Sequence, residues 1–446
     1  MQVKALEIRL ATRRVGVLFQ YPLAQDQTIN RFVADDDFAS DPEQAMLSLS
    51  YRASDPQAQA AFWRALGAAQ LNGSLSVDAK RGWLLPAFFQ NLLPEGPLRT
   101  RIAEMRGCEP EDHFEILAAT GKDLPGDVQA LPIELGRSEL SRIVTQNNDA
   151  LEMSVVADPL EDAISVSGVQ AKLAVLKSDG RFVGRTKLTE ASEVRHVIAK
   201  LPVAGQPLLP ELEALSLCLA KAAGVQVVEA ELAPLALLAA EHHYDLGDVD
   251  GDTQFLAVYR YDRDAPTATG RVHCEDFAQI LGVQPEAKYT RDYLSIAAVM
   301  MLKPTLGEAA VHELLRRILV NDLMGNPDMH LKNMGLRYAD GRTPDLPPAY
   351  DLVAYAAYGV LQSGRALQLI APEAGKKYEH QRLTPAVVRS FCARLGIPEK
   401  PAQTALRRCA HRAFETWPAL VAQAGITDKM KERMVQRLDS FKTRPL

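Results

Sequence analysis

The sequence has few cysteines, no long apolar run and little net charge, and each of these absences excludes a class of protein. The five cysteines among 446 residues are scattered and form no C-x-x-C pair, as expected for reduced thiols in the cytoplasm. Lys4, Glu7 and Arg9 interrupt the first apolar residues, which excludes a secretory signal, and no uncharged stretch could span a bilayer. A net charge of −6 gives no electrostatic basis for wrapping nucleic acid unaided. We therefore expect a cytoplasmic protein without a membrane partner.

The length predicts two or three domains, of which the first, residues 1–130, is expected to be rich in strands. Apolar residues alternate with charged ones at 6–10, and a second apolar run follows at 15–19, so these segments predict two strands. Asp41-Pro42 is expected to start a helix that extends to residue 69, because Asp is a frequent N-cap and Pro suits the first helical position.

Residues 131–263 predict a small α/β lobe that binds a nucleotide. Leu and Ala recur at helical spacing over residues 212–223, and Gly224 can end that helix. Short runs rich in Val, Ile and Leu predict strands at 173–176, 196–201 and 255–259.

Residues 264–446 predict a lobe made almost only of helices from His273 onward. An apolar face recurs over residues 311–319, and Thr384-Pro385 forms a good helix start. The expected fold is thus an α/β, or α+β, N-terminal part with a small mixed-sheet lobe, followed by an all-α lobe. Protein kinases have this bilobal architecture, although a fold alone proves no chemistry.

The segment 325–333, GNPDMHLKN, carries the spacing of a kinase catalytic loop. In protein kinases a catalytic Asp and a magnesium-binding Asn are spaced D-x-x-x-x-N, as Asp328 and Asn333 are here. A second magnesium ligand should come from an Asp shortly downstream, and Asp351 in PAYDLV fits. The apolar, tyrosine-containing residues that precede it could form a strand. Taken singly, these residues could equally form a polar surface loop, since Asn-Pro-Asp favours turns.

Three segments upstream could hold the nucleotide. Residues 165–172, SVSGVQAK, could expose backbone N–H groups to phosphate, with Gly168 allowing close approach, although a hairpin turn explains them as well. Lys200 lies in an apolar run and needs an anion if it is buried, for which Glu213 on the next helix is the natural partner; otherwise it lies at a strand edge with its amine in solvent. The backbone of residues 258–261 could meet adenine, or could be an ordinary strand.

Taken together, these segments resemble the HipA family, the serine/threonine kinase toxins of bacterial toxin–antitoxin modules. The similarity follows the same order over most of the chain. It rests on FFQNLLPEGPLR at 88–99, GKDLPGDV at 121–128, SVSGVQAKLAVL at 165–176, HVIAKLP at 196–202, VYRYDR at 258–263, RVHCEDFAQILGV at 271–283 and GNPDMHLKNMGL at 325–336.

The resemblance implies a role for each matching residue. Asp328 would be the catalytic base, Asn333 and Asp351 would bind Mg²⁺, and a serine of the phosphate loop, Ser165 or as second candidate Ser167, would be autophosphorylated. A phosphate there would place roughly two negative charges where those of ATP must lie, so self-inhibition follows. The ATP site implied by the resemblance consists of Val166, Ser167, Gly168, Val169, Gln170, Ala171, Lys172, Lys200, Val258, Tyr259, Arg260, Tyr261, His330, Leu331, Lys332, Asn333, Tyr350, Asp351, Leu352 and Val353.

The leading hypothesis is an ATP- and Mg²⁺-dependent, non-specific serine/threonine protein kinase that acts as a toxin. The family resemblance implies a helix-turn-helix antitoxin of the HipB type, through which DNA would mainly be contacted. The protein substrate could be an aminoacyl-tRNA synthetase such as the glutamyl enzyme. Two alternatives remain: a small-molecule or lipid kinase on the same architecture, and a nucleotide-binding corepressor that acts with its antitoxin.

Overall fold

The computed structural model describes residues 2–24, 27–67, 84–143, 152–161, 163–166, 170–184, 194–242, 244–359, 364–371 and 382–442. The strands in these ranges are β1 (Gln2–Leu10), β2 (Arg13–Ala24), β3 (Gln27–Ala34), β4 (Val128–Pro132), β5 (Glu152–Met153), β6 (Lys172–Ser178), β7 (Arg181–Val183), β8 (Arg195–Lys200), β9 (Ala230–Pro234), β10 (Leu238–Ala239), β11 (Gln254–Tyr259), β12 (His273–Asp276) and β13 (Gly335–Tyr338).

The helices connect three sheets and form most of the C-terminal lobe. They are α1 (Asp36–Ala39), α2 (Pro56–Gly67), α3 (Ala87–Gln90), α4 (Gly96–Arg106), α5 (His113–Thr120), α6 (Arg137–Ile143), α7 (Leu209–Ala222), α8 (Phe277–Ile280), α9 (Tyr293–Met301), α10 (Gly307–Met324), α11 (Pro385–Leu395), α12 (Glu399–Gln423) and α13 (Asp428–Lys442). None of the helices within the described ranges is both long and apolar enough to cross a membrane.

The N-terminal sheet has the strand order β3-β2-β1-β4, and β5 pairs with β1 in parallel. Alternation along β1 places Leu6 and Ile8 in a core with the helices, and Val3 and Ala5 in a second core on the other face. The two strands predicted from the sequence are confirmed.

The predicted helix start at Asp41-Pro42 is wrong, and the correct start is another Asp-Pro pair fourteen positions later in the sequence. Asp55 accepts a hydrogen bond from the amide of Ala58 at 2.8 Å, and Pro56 opens α2. Around Asp41 the chain instead forms a turn, and the amide of Met46 donates to Gly341 of the C-terminal lobe at 2.8 Å. A long-range contact therefore overrides the local helix signal.

The small lobe is a six-stranded sheet with the order β10-β7-β6-β8-β11-β9, against which α7 packs. The three predicted strands and the predicted helix are confirmed. Strand β8 lies between β6 and β11, so Lys200 at its end belongs to a central strand and not to an edge.

In its described residues, the C-terminal lobe has one strand pair among its helices, the antiparallel β12 and β13. The prediction that helices occur there almost exclusively needs this correction. Both strands are four residues long and far apart in sequence, and such short segments have no clear periodicity. Gly335 permits the pairing, because a Cβ at this position would lie 2.4 Å from the carbonyl oxygen of Glu275. The predicted arrangement of a small mixed-sheet lobe followed by a helical lobe is otherwise confirmed.

Candidate functional site

An open cavity lies between the small lobe and the helical lobe, and many of the residues selected from the sequence line it. Such clefts between lobes are the usual place for small ligands. The selected residues on its wall are Ser165, Val166, Lys172, Lys200, Glu213, Val258, Tyr259, Arg260, Tyr261, Lys332, Asn333, Tyr350 and Asp351.

A buried lysine between two carboxylates forms the centre of this cavity. Lys200 donates hydrogen bonds to Glu213 on α7 and, at 2.6 Å, to Oδ1 of Asp351. Burial opposes the charge of Lys200, but the two carboxylates outweigh it and raise the lysine pKa. Burial likewise opposes the charge of Asp351, yet Lys200 and Lys172 lower the pKa of this carboxyl to about 2. The ammonium and the Asp351 carboxylate are therefore both charged at neutral pH.

Lys172 is a second buried lysine beside the first. It is paired in register with Lys200 across strands β6 and β8, and only 3% of it is exposed. Burial, followed by repulsion from Lys200, lowers the pKa of Lys172 to about 8, although nearby carboxylates oppose the shift. Lys172 thus adds a second cation to a partly desolvated cavity, beside the Lys200 ammonium that Glu213 and Asp351 already pair.

The segment 325–333 is held at the end of α10. Gly325 ends the helix in the left-handed conformation, with φ of 69°. The amide of Asp328 donates to the Asn326 side chain at 3.1 Å, and Nδ2 of Asn333 donates to the carbonyl oxygen of Asp328 at 2.7 Å. This last bond connects the half-exposed Asp328 to Asn333 on the cavity wall. It uses the nitrogen of the Asn333 amide, so the oxygen Oδ1, which is the amide atom that a cation needs, takes no part in it.

Asp351 does not follow a strand, so the strand-like approach expected from PAYDLV is wrong. The residue has a φ of 58°, in the left-handed region that few non-glycine residues adopt. The preceding Ala349 forms an isolated bridge with Val227, and the Tyr350 hydroxyl donates to the carbonyl oxygen of Lys332 at 3.2 Å. Tertiary contacts thus hold Asp351 in a strained loop, as is common at functional sites.

Several selected residues do not line the cavity. Leu331, Leu352 and Val353 are buried in the main hydrophobic core, and Ala171 is in the core of the small lobe. Gln170 and His330 also lie off the cavity wall, and His330 accepts a hydrogen bond at Nδ1 from the amide of Lys332 at 3.2 Å. Ser167, Gly168 and Val169 lie outside the described residues.

Two residues of the predicted adenine segment already have backbone partners. The amides of Tyr259 and Arg260 donate to the carbonyl oxygens of Glu229 and His196, at 2.9 and 3.0 Å. The guanidinium of Arg260 is buried between Asp123 and Asp262. Base recognition through these two amide groups would therefore require rearrangement, whereas Tyr261, stacked on Tyr350 with centroids 5.8 Å apart, remains suited to contact a base.

The sequence did not single out the residues that the N-terminal part contributes to this site. Glu95 lies 3.1 Å from the ammonium groups of both Lys332 and Lys288, and Lys332 also donates to the carbonyl oxygen of Asn91 at 3.0 Å. Burial opposes the charge of Glu95, but Lys332 and Lys288 lower its pKa to about 2. The segment FFQNLLPEGPLR at 88–99 contains both Asn91 and Glu95, yet its pattern did not reveal that Lys332 is their common partner.

Other cavity-lining residues lie in two of the segments that carry the family resemblance, 121–128 and 271–283, but no role was predicted for them. Cys274, Glu275, Asp276 and Gln279 come from β12 and the start of α8, and Pro125 comes from the turn before β4. Burial raises the pKa of Asp276 to about 6 in spite of the nearby Lys332. The pairing of β12 with β13 positions Cys274, Glu275 and Asp276, and the sequence did not predict this pairing.

The residues present fit a nucleotide with a magnesium ion. The carboxylate of Asp351 and the amide oxygen of Asn333 are hard oxygen ligands of the kind that Mg²⁺ binds in phosphate sites. The two buried lysines supply positive charge for phosphates, and the tyrosine pair supplies an aromatic wall. Within the described part of the chain, no cluster of three or more His, Cys, Asp or Glu side chains offers an all-protein metal site.

Comparisons with known proteins show the family to which the chain belongs. The family model described as HipA N-terminal domain matches residues 6–131, and the HipA-like C-terminal domain matches residues 164–417. A candidate kinase of Sinorhizobium fredii is 34% identical over 358 residues, covering 80% of this chain and 78% of that protein. The serine/threonine-protein kinase toxin HipA of Shewanella oneidensis is 23% identical over 358 residues, covering 73% of this chain and 74% of the toxin.

A solved structure has a similar fold over nearly the whole chain. It is the complex of HipA and HipB with operator DNA from the Shewanella oneidensis toxin–antitoxin system. The superposition has a TM-score of 0.63 at 20% sequence identity and covers 98% of this chain and 97% of that chain.

Proposed function

The chain belongs to the HipA family of kinase-like proteins, and we propose that it is an ATP- and Mg²⁺-dependent, non-specific serine/threonine protein kinase. The observation that carries the proposal is the set of charged groups on one cavity. Two buried lysines, Asp351 and Asn333 line it, and Asn333 is bonded to the backbone of Asp328. Phosphoryl transfer needs this combination of phosphate cations, magnesium ligands and a base.

Each residue has a defined task in this proposal. Lys172 and Lys200 hold the phosphates, and Glu213 keeps Lys200 charged and in place. Asn333 and Asp351 would bind Mg²⁺, which when present neutralises charge developing on the phosphate oxygens. Asp328 orients the acceptor hydroxyl and receives its proton while the oxygen bonds to the γ-phosphorus. The bond from that phosphorus to the bridging oxygen breaks, and ADP leaves.

Autophosphorylation of Ser165 is part of the proposal. Ser165 lies on the cavity wall, but it is only 1% exposed and its hydroxyl donates to the carbonyl oxygen of Leu92. The segment must therefore move before this hydroxyl can be phosphorylated, and a phosphate would prevent its return to the same buried place. Ser167 remains the second candidate.

The biological role that we propose is that of a cytoplasmic toxin neutralised by a HipB-like helix-turn-helix antitoxin, which would make the main DNA contacts. The support is the resemblance to the Shewanella oneidensis toxin and the fold shared with HipA of the HipA–HipB–DNA complex. A cellular protein, for example glutamyl-tRNA synthetase or another aminoacyl-tRNA synthetase, would be the substrate. We also propose the division into an N-terminal subdomain (1–130), a nucleotide-binding lobe (131–263) and a helical catalytic lobe (264–446).

The test is incubation of the purified chain with γ-labelled ATP and Mg²⁺. Label should appear on the chain itself, fall at least a hundredfold in Asp328→Asn, and be lost in Ser165→Ala if Ser165 is the acceptor. Asp252→Asn, in an exposed turn before β11, is the matched control and should label normally. Equal labelling of the wild type and Asp328→Asn would contradict the proposed chemistry.

Phosphoproteomics after brief expression of the wild type and Asp328→Asn would identify the substrate. A protein that is phosphorylated equally after expression of the wild type and of Asp328→Asn is not a substrate of this chain. Growth arrest by both would favour the corepressor alternative instead.

A further inference from the structure

Tyr289 is a half-exposed tyrosine beside the proposed catalytic base, and the mechanism above does not use it. It follows a short 3₁₀ turn at Pro285–Ala287, and 49% of the residue is exposed. Its hydroxyl donates a hydrogen bond to Oδ1 of Asp328 at 2.9 Å. A general base holds the hydroxyl that it deprotonates at about 2.6–3.2 Å, so the phenol lies at a distance suited to an acceptor.

The ring of Tyr289 is fixed relative to the catalytic loop. It meets the imidazole of His330 edge to face, with centroids 5.1 Å apart and planes at 79°. The ammonium of Lys288 lies 5.7 Å from the ring centroid, and the carbonyl of Lys288 accepts a hydrogen bond from the amide of Leu331 at 3.4 Å. Contacts on both sides thus hold the hydroxyl at Asp328, which would not be expected of a freely rotating surface side chain.

We propose that Tyr289 occupies the acceptor-hydroxyl position of this site and determines how readily a protein hydroxyl reaches Asp328. The inference rests on the proposed function, because it requires Asp328 to be the base. In this proposal, a serine or threonine hydroxyl takes over the hydrogen bond to Oδ1 before its proton passes to Asp328. Tyr289 then competes with every acceptor, and its hydroxyl has to be displaced for each transfer.

This competition acts on acceptor binding and not on the transfer step. Once the acceptor is in place, Tyr289 no longer contacts Oδ1, so the rate at saturating acceptor depends little on it. Removing the phenolic hydroxyl should therefore lower the apparent KM for the acceptor and leave kcat nearly unchanged. A residue that merely supports the loop would instead lower kcat when it is altered.

The experiment compares wild type, Tyr289→Phe and Asp328→Asn as full-length chains, with dephosphorylated casein as the acceptor and γ-labelled ATP as the donor. Tyr289→Phe keeps the ring contacts with His330 and removes only the hydroxyl. Its KM for casein should fall roughly tenfold, as expected when a hydrogen bond to a charged group no longer has to be displaced, with kcat within about twofold of wild type. Tyr358→Phe, whose hydroxyl donates to the Pro207 carbonyl at 3.1 Å, is the matched control and should leave both values unchanged.

The outcomes separate this inference from the proposed function. If Asp328→Asn transfers phosphate as fast as wild type, both are overturned. If Asp328→Asn is inactive and Tyr289→Phe has the KM of wild type, or a kcat lowered more than tenfold, only the role of Tyr289 is overturned. Mass spectrometry after incubation with ATP alone gives a further test, because phosphotyrosine at position 289 would also place this hydroxyl in the acceptor position.

Discussion

Replacement of Glu95 by Gln should destabilise the proposed catalytic loop, residues 325–333, although Glu95 belongs to the N-terminal part of the chain. Glu95 lies 3.1 Å from the ammonium groups of both Lys288 and Lys332, and the Lys332 side chain is 0% exposed. The two lysines outweigh burial and lower the pKa of Glu95 from 4.5 to about 2. At about 1.4 kcal/mol for each pH unit, the charge of Glu95 contributes roughly 3 kcal/mol at neutral pH.

The direction of the pH dependence follows from the lowered pKa. Because the folded chain holds Glu95 charged more strongly than the unfolded chain, this contribution is complete above about pH 4.5 and is lost as the pH falls towards 2. Glu95→Gln lacks the charge at every pH. The difference in unfolding free energy between wild type and Glu95→Gln should therefore be about 3 kcal/mol at pH 7 and should narrow below pH 4.5.

Urea unfolding measures this difference, and the chain offers a matched control. Glu104 is exposed on the neighbouring helix α4, so Glu104→Gln should change the unfolding free energy by less than about 0.5 kcal/mol. In a Lys332→Met background the cost of Glu95→Gln should be smaller, because one of its two partners is gone. Equal stability of Glu95→Gln and wild type, or the same cost in both backgrounds, would refute the reasoning.

Three further predictions concern single groups. Burial lowers the pKa of Lys172 to about 8, so the affinity for ATP, measured by calorimetry, should fall by up to about tenfold per pH unit above pH 8. The ATP affinity of Lys172→Arg should not change with pH in this range. Burial raises the pKa of Glu275 to about 7, so the unfolding free energy, measured by thermal unfolding, should fall as the pH rises from about 4.5 to 7. The decrease should be at most about 3 kcal/mol, and Glu275→Gln should not show it. Arg437 donates to the carbonyl oxygens of Asp322 and Leu323 at 2.9 and 3.1 Å, so Arg437→Ala should cost about 1–3 kcal/mol in thermal unfolding, with Arg437→Lys losing less.

The sequence was most informative where local pattern and chemistry coincide. Three of the six strands of the small lobe, β6, β8 and β11, carry dense apolar runs, so their positions followed from composition alone. Lys200 could be assigned an anionic partner because a buried ammonium needs one, and the structure places Glu213 and Asp351 on it. Asp328 and Asn333 are five positions apart, and a single loop fixes their relation.

The sequence was less informative where distant segments meet. β12 and β13 are four residues each, and their pairing depends on a glycine approaching a carbonyl from a segment far away in the chain. The left-handed backbone of Asp351 depends on the bridge between Ala349 and Val227. No local pattern encodes such contacts, so neither the pairing nor the loop could be predicted.

The contacts between the N-terminal part and the kinase lobes indicate that they form one structural unit. Arg260 and Arg263, at the end of β11, are buried and both pair with Asp123, which precedes β4. Glu275 of β12 accepts hydrogen bonds from the hydroxyl of Ser48 at 2.6 Å and from the amide of Leu49 at 2.9 Å. Asp262 also pairs with both guanidinium groups, but without Asp123 two buried cations would share one carboxylate, and breaking a buried ion pair typically costs several kcal/mol. Since Glu95 likewise pairs with Lys288 and with Lys332 of the proposed catalytic loop, the N-terminal part is a component of the proposed site.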